Sequence, residues 1–370
     1  MNSPTISPKS ATIKDVARLA GVSVMTVSRI LDGQRQNSAH REAVLQAAQE
    51  LGYAPDPHAQ RLVRGRSLDL VGLFSSHLDL GVATRQLQMV QILLAERGFR
   101  VPLSLLGGRD SAAYQHEALA DLRRQKPLAI VCFDPLGEAG LAELERFQDE
   151  GGIVVLSEEY PSPLACDQVI FDLEFNIESC VAHLFEQGHR KIGICAHGTF
   201  ADGDRKVSAF QMELQKRGLE FRPDWVFSSF TAPGAQEFLS DIETDRVLFR
   251  GLYEEAGVVH ARHLASLPKN DRPTALFLIN DQAGAAFINE ARRLGLDIPR
   301  DVSLVSHDDL PAAASAAVPL SSTSYPVETI AREVVELLLS RLVNRAPSQP
   351  RQIVVRGALA SRQSVAEPPL

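Results

Sequence analysis

"AGVSVMTVSRIL", residues 20–31, carries two faces of opposite character. On a helical wheel Val27, Ile30 and Leu31 share one side, as a core-facing stripe should. Val24, Met25, Ser28 and Arg29 share the other. An outward face with two apolar side chains, a hydroxyl and a guanidinium suits a partner that offers methyl groups and hydrogen-bonding edges together.

The flanking sequence explains the pattern. "TIKDVARLAG", residues 12–21, reads as a helix with Ile13, Val16, Leu19 and Ala20 inward and Lys14, Asp15 and Arg18 outward, closed by Gly21. Ser23 is an N-cap for the helix that follows, and Asp32-Gly33 closes it. A third helix, from Asn37 or Ser38 to about Leu51, repeats Ala43, Val44, Ala47, Ala48 and Leu51 at helical spacing. Three short helices with a tight glycine turn between the first two form a helix-turn-helix unit, over residues 11–56. Such a unit presents its second helix to the major groove of DNA. Val24 and Met25 can then touch thymine methyls and Arg29 a guanine edge, while Ser23, Thr26 and Ser28 suit phosphates.

"PDPHAQRLVRGRS", residues 55–67, places Asp56 and Pro57 as helix-start signals, with room for only about two turns before Gly65. A short basic helix over 57–67 fits a conditionally folded hinge, with Leu62 and Ala59 as a minor-groove wedge and Arg61 and Arg64 on phosphates. Charge supports an anionic partner for this end alone. The chain has a net charge of −8, yet residues 11–66 hold eight Lys/Arg against five acids. The excess of acid lies in residues 67–370.

Composition, 45% hydrophobic and 23% charged over 370 residues, implies two or three globular domains. No apolar run approaches the ~20 residues that span a bilayer, and residues 1–14 lack the apolar stretch of a secretory signal. A cytoplasmic protein with no membrane partner is expected. The four cysteines, Cys132, Cys166, Cys180 and Cys195, form no CxxC pair, so reduced thiols are expected. Residues 68–370 alternate apolar strands with amphipathic helices, which implies parallel sheets with helical crossovers. One series runs from "LDLVGLFSS" to "GIVVLSE" and a second starts near "DQVIFD". The fold expected is an all-α helix-turn-helix head on an α/β body of two doubly wound lobes.

"TIKDVARLAGVSVMTVSRIL" and "ELGYAPDPHAQRLVRGRS" closely resemble the head and hinge of the lactose-repressor (LacI/GalR) family. "HLFEQGHRKIGI", "PTALFLINDQAGAA", "GLDIPRDVSLVSHDDL" and "ALASRQS" resemble segments of the family's body, so the likeness covers about residues 11–365. The resemblance implies a periplasmic-binding-protein-like body whose chain crosses between lobes near residues 167, 324 and 349. Lobe 1 is then about 68–167 and 325–348, and lobe 2 about 168–324 and 349–370. It also implies a repressor controlled by a small molecule and a homodimer that reads a pseudo-palindromic operator, with helix 84–98 at the interface. No leucine heptad follows the last strand, so the tetramer-forming tail of some relatives is not expected.

Ligands of open α/β sheets bind at the carboxyl ends of strands, which makes the cleft between lobes the expected pocket. The candidates there are Asp308, Asn280, Asp281, Lys206, Arg205, Phe230, Asp172, Leu80 and Arg109. Asn280, Asp281 and Asp308 can bond hydroxyls, and Asp281 and Asp308 can instead cap the helices that follow them. Phe230 stands where family members often have an aromatic that stacks on the ligand. A polar cleft with an aromatic floor suits a sugar or sugar derivative, with a nucleobase or phosphorylated metabolite as alternatives. Lys206 beside Arg205 would also suit a phosphate or carboxylate. Three departures from the family's pattern bear on the ligand: Ser306 where Gly is usual, Lys206 where Arg is usual, and a longer segment over 239–260.

The chain has no GxSxG, HExxH, P-loop or GxGxxG after a strand, so no catalytic residues and no cofactor are assigned. His183, His189 and His197 do not have the placement of a metal site, and no metal is expected. A periplasmic solute-binding protein is the competing class for such a body. The head argues against it.

Overall fold

The computed structural model describes residues 12–31, 39–51, 53, 69–75, 81–105, 112–133, 135–196, 200–228, 252–278, 280–343 and 349–369. It divides into two compact units, residues 1–67 and 68–370.

In the first unit, α1 (Ile13–Leu19), α2 (Val24–Leu31) and α3 (Arg41–Glu50) enclose Val16, Ala17, Val27, Ile30, Val44, Ala47 and Ala48. Gly21, at φ 66°, takes the left-handed conformation that lets the chain turn sharply between α1 and α2, where Val22 N–H reaches Ala17 O at 3.1 Å. Three details differ from the sequence reading. Leu19 is 51% exposed, and Ala17 beside Val16 takes the inward position, because the core-facing stripe of α1 runs through Ile13, Val16, Ala17 and Ala20. Ala43 and Leu51 lie on the exposed side of α3. That helix begins at Arg41, with His40 at its N-cap, rather than at Asn37 or Ser38, which lie outside the described residues.

The second unit holds two six-stranded sheets. The first, in the order β11-β5-β4-β3-β1-β2, is built from β1 (Val71–Ser75), β2 (Leu103–Leu105), β3 (Ala129–Cys132), β4 (Ile153–Glu158), β5 (Asp167–Phe171) and β11 (Gln352–Val355). All its pairings are parallel. The second, in the order β12-β10-β9-β8-β6-β7, is built from β6 (Ile192–Ala196), β7 (Val226–Ser228), β8 (Ala275–Leu278), β9 (Ser303–Asp308), β10 (Ser321–Ser324) and β12 (Leu359–Ala360). Only the β10–β12 pairing is antiparallel.

The central strands are buried at almost every position because helices cover both faces of each sheet. Alternation assigns their side chains. Val71, Leu73, Ala129 and Val131 pack with α4 (Val82–Glu96) and α12 (Val327–Val343). Phe74, Ile130 and Cys132 face the opposite way, toward Leu119 and Leu122 of α5 (Ala112–Arg124) and Phe147 of α6 (Glu138–Asp149). In the second sheet Ile192, Ile194, Ala275 and Phe277 meet α7 (Leu173–Glu186) and α8 (Phe200–Lys216). Cys195, Leu276, Leu278 and Leu304 meet α9 (Leu252–Ser266), α10 (Asp281–Arg293) and α11 (Pro311–Ser315). All four cysteines are buried free thiols.

Both sheet memberships and crossings correct the sequence reading. "DQVIF" is a strand of the first sheet, and β11 also joins it, beside β5. The first and third crossings therefore fall at Asp172 and at residues 356–358, where they were expected near 167 and 349, while the second, at Tyr325-Pro326, agrees with the expected place near 324. Hydrogen bonds tie the three together: Asn176 Nδ2 donates to Ser324 O at 3.2 Å, and Ala358 N–H to Ser324 Oγ at 3.0 Å. Gly357 is required here, because a Cβ would strike Ser324 O. At the amino end of β5, Asp167 is held by Arg341 at 2.6 and 2.8 Å and by Arg351 at 2.6 Å.

Candidate functional site

Two regions carry the chemistry, one in each unit. On α2, Val27 and Ile30 are buried while Val24 is 40% and Met25 63% exposed. Ser23 caps the helix, its Oγ accepting from Thr26 N–H at 3.1 Å and lying 2.9 Å from Thr26 Oγ1. Ser28 is half-buried on the same helix. Exposed Val24 and Met25 beside hydroxyls give this face the mixed character that the sequence predicts. The side chain of Arg29 and all of Ala59, Arg61, Leu62 and Arg64 lie outside the described residues, as do Leu80, Arg109, Phe230, His197 and residues 239–251.

The second region is the seam where the carboxyl ends of the two sheets meet. Lys206 Nζ of α8 lies 3.5 Å from Glu159 Oε2, just past β4, and the Arg205 guanidinium stands 4.5 Å from the centre of the Tyr160 ring. From the first lobe, Gln86 of α4 donates to Ser157 Oγ at 2.5 Å and accepts from the Tyr325 hydroxyl at 3.3 Å. The Tyr325 ring packs 4.2 Å from Phe171, which stacks on His307 at 5.4 Å.

His307 is fully enclosed, and burial, reinforced by the positive charge of Lys206, pushes its pKa down to about 3. It is therefore neutral. Its Nδ1 lies 3.4 Å from both Asn176 Nδ2 and Thr323 Oγ1, and its Nε2 3.3 Å from Asp308 Oδ1. The two neighbours of Nδ1 can both donate, which assigns the proton to Nε2, on the side of Asp308. Asp308 itself has φ 107°, a left-handed conformation that sets its carboxylate at the end of β9 beside His307.

Three expected ligand contacts are taken up by the fold. Asn280 is the N-cap of α10, accepting from Ala283 N–H at 2.8 Å. Asp281 is completely buried and accepts from Ser306 Oγ, from Ser322 Oγ at 2.7 Å and from Leu310 N–H at 2.6 Å. Burial pushes its pKa up, against these donors. Asp172 caps α7 through Phe175 N–H at 3.0 Å and pairs with Arg356 Nε at 2.9 Å, on a groove between α7 and α8. Lys206, Arg205 and Asp308 remain at the seam. His189 is structural too, bridging Thr274 Oγ1 and Ala366 O, each at 2.9 Å. Among the described residues no cluster of His, Cys, Asp or Glu could hold a metal ion.

Glu159, Tyr160 and Tyr325 were not singled out from the sequence. "LSEEY" ends a strand just as "LFLIN" does, so the same rule, applied to the first lobe, finds Glu159 and Tyr160. Tyr325 has no such signal, since it enters only through the crossing.

Residues 12–56 match the model of bacterial regulatory proteins of the lacI family, and residues 181–365 that of the periplasmic binding protein-like domain. The chain belongs to the lacI family of bacterial regulatory proteins. It is a DNA-binding transcriptional regulator. A relative, the HTH-type transcriptional repressor PurR of Aliivibrio salmonicida, is 28% identical over 340 residues, 90% of this chain and 93% of that one. The solved complex of the transcriptional regulator CelR with cellobiose is 26% identical, with a TM-score of 0.64 over 96% of this chain and 100% of that one. The lac repressor dimer bound to operator and an anti-inducer shares the fold, with a TM-score of 0.75 at 20% identity, over 97% of this chain and 100% of that one. Among the described residues no helix is long and apolar enough to cross a membrane.

Proposed function

We propose that the protein is a cytoplasmic, non-enzymatic repressor that works as a homodimer. Two heads read two half-sites of a pseudo-palindromic operator, and a sugar or sugar derivative bound between the lobes sets the affinity. The observation that carries the reading is the split of α2, with Val27 and Ile30 in the core and Val24 and Met25 in solvent. A face of that kind has no use in a solute-binding protein, although the body is built like one. Arg29 reads a base edge, and Ser23, Thr26, Ser28, Arg61 and Arg64 take phosphates. Leu62, with Ala59, wedges into the minor groove where the hinge helices of 57–67 fold on DNA.

A sugar is favoured by the polar, aromatic-lined seam of Tyr160, Tyr325, Gln86 and Asp308, and by the relative solved with cellobiose. The effector must bind one lobe arrangement better than the other, since equal affinity shifts no equilibrium. The test is the melting temperature of the full chain against neutral sugars, sugar phosphates and nucleobases. A ligand at 100 times its dissociation constant adds about 2.7 kcal/mol of stability. A sugar as the stabilising ligand supports the reading; stabilisation by nucleobases alone overturns it.

A further inference from the structure

Two contacts between consecutive residues cross the seam just past β4. Arg205 and Lys206 of α8 meet Tyr160 and Glu159 after β4, so a cation of one lobe faces a carboxylate of the other. Lys206 is only 15% exposed and Glu159 30%, so their attraction is less screened than that of a surface pair. His307 beside them is neutral and adds no positive charge. Among the described residues Glu158, 8% exposed, Asp308 and Asp309 are further carboxylates at these strand ends, with Asp309 paired to Arg362 at 2.6 Å. Lys206 and Arg205 alone suggested a place for a phosphate or carboxylate. With Glu159 against it, Lys206 already has its counter-charge, while Arg205 lies over the Tyr160 ring.

We propose that Glu159 is a specificity-determining residue of the cleft, which by holding Lys206 denies an anion its counter-charge and restricts the site to uncharged ligands. The proposal rests on the reading of this seam as the effector site. An anion entering beside Lys206 would stand next to the Glu159 carboxylate, and that repulsion selects against it, as negative design at a binding site does. An uncharged polyol meets no such penalty and can bridge the two side chains by hydrogen bonds.

The test uses inorganic phosphate and glucose 6-phosphate as probes, followed by melting temperature and calorimetry on the full chain. Glu159→Gln keeps shape and hydrogen bonding and removes the charge. The variant is expected to bind both anions tighter by about tenfold or more than the parent, as removing a like charge about 4 Å away predicts. Adding Lys206→Met to Glu159→Gln is expected to abolish that gain. Equal phosphate affinity in parent and variant overturns the proposal, as does a gain that survives Lys206→Met. The comparison reads the charge pair directly, so it stands or falls separately from the sugar panel: a panel with no sugar binding removes the effector site, whereas these affinities test Glu159.

Discussion

Ser306 donates its hydroxyl to Asp281, twenty-five residues earlier in the chain, at a position where the family usually has Gly. Ser322 and the Leu310 N–H complete the set around that buried carboxylate. The departure at Ser306 thus adds a donor where burial alone would leave a charge poorly satisfied. Replacing Ser306 with Gly is expected to cost about 1–3 kcal/mol, the penalty for leaving a buried acceptor short of a partner. Asp281→Asn is expected to cost more than Ser322→Ala, because an amide turned to serve both hydroxyls points its own N–H groups at Leu310 N–H. Urea unfolding of the three variants checks the order.

Asp167 supplies a pH dependence whose sign follows from its partners. Burial alone would raise its pKa, but the hydrogen bonds from Arg341 and Arg351 outweigh that and hold it at about 2. The unfolded carboxyl titrates near 4, so the folded state keeps the charged form to lower pH. The stability this gives, about 2–3 kcal/mol, is present above pH 4 and lost as pH falls from 4 to 2. Asp167→Asn is expected to flatten that part of the stability profile, because it removes the carboxylate that Arg341 and Arg351 share. Chemical denaturation at intervals from pH 7 to 2.5 measures it.

Met25 and Val24 separate recognition from folding. Both lie on the exposed face of α2, so alanine at either is expected to change stability by less than about 0.5 kcal/mol. If they read bases as proposed, discrimination at those positions is expected to fall by about 1–3 kcal/mol. Arg29→Ala is expected to relax the preference at one base pair per half-site, whereas removing a phosphate contact would weaken all sequences alike. Competition assays with singly substituted duplexes distinguish the two.

Local signals sufficed for much of this molecule. Gly21, the Ser23 cap and the apolar stripe of Val27 and Ile30 predict the head, because each acts within one or two turns of chain. The alternation of strands and helices likewise predicts two parallel sheets. Which sheet "DQVIF" joins is different: β5 is ordered by β4 on one side and β11 on the other, and β11 pairs Gln352 with Gln168, 184 residues away in sequence. The candidate site divides the same way. Asn280 as a cap can be read from its place before a helix, but the enclosure of Asp281 depends on Ser306, Ser322 and Leu310, which only the fold assembles. Glu159 acquires its meaning only when Lys206 faces it across the seam.

The central claim, a sequence-reading head on α2, is tested most directly by selecting bound duplexes from a random DNA pool with the purified full chain. The account predicts enrichment of a pseudo-palindrome with two half-sites, and a parallel selection with Met25→Ala and Arg29→Ala should lose preference at defined positions in each. Recovery of unenriched sequence, with binding that merely falls as salt rises, would contradict it.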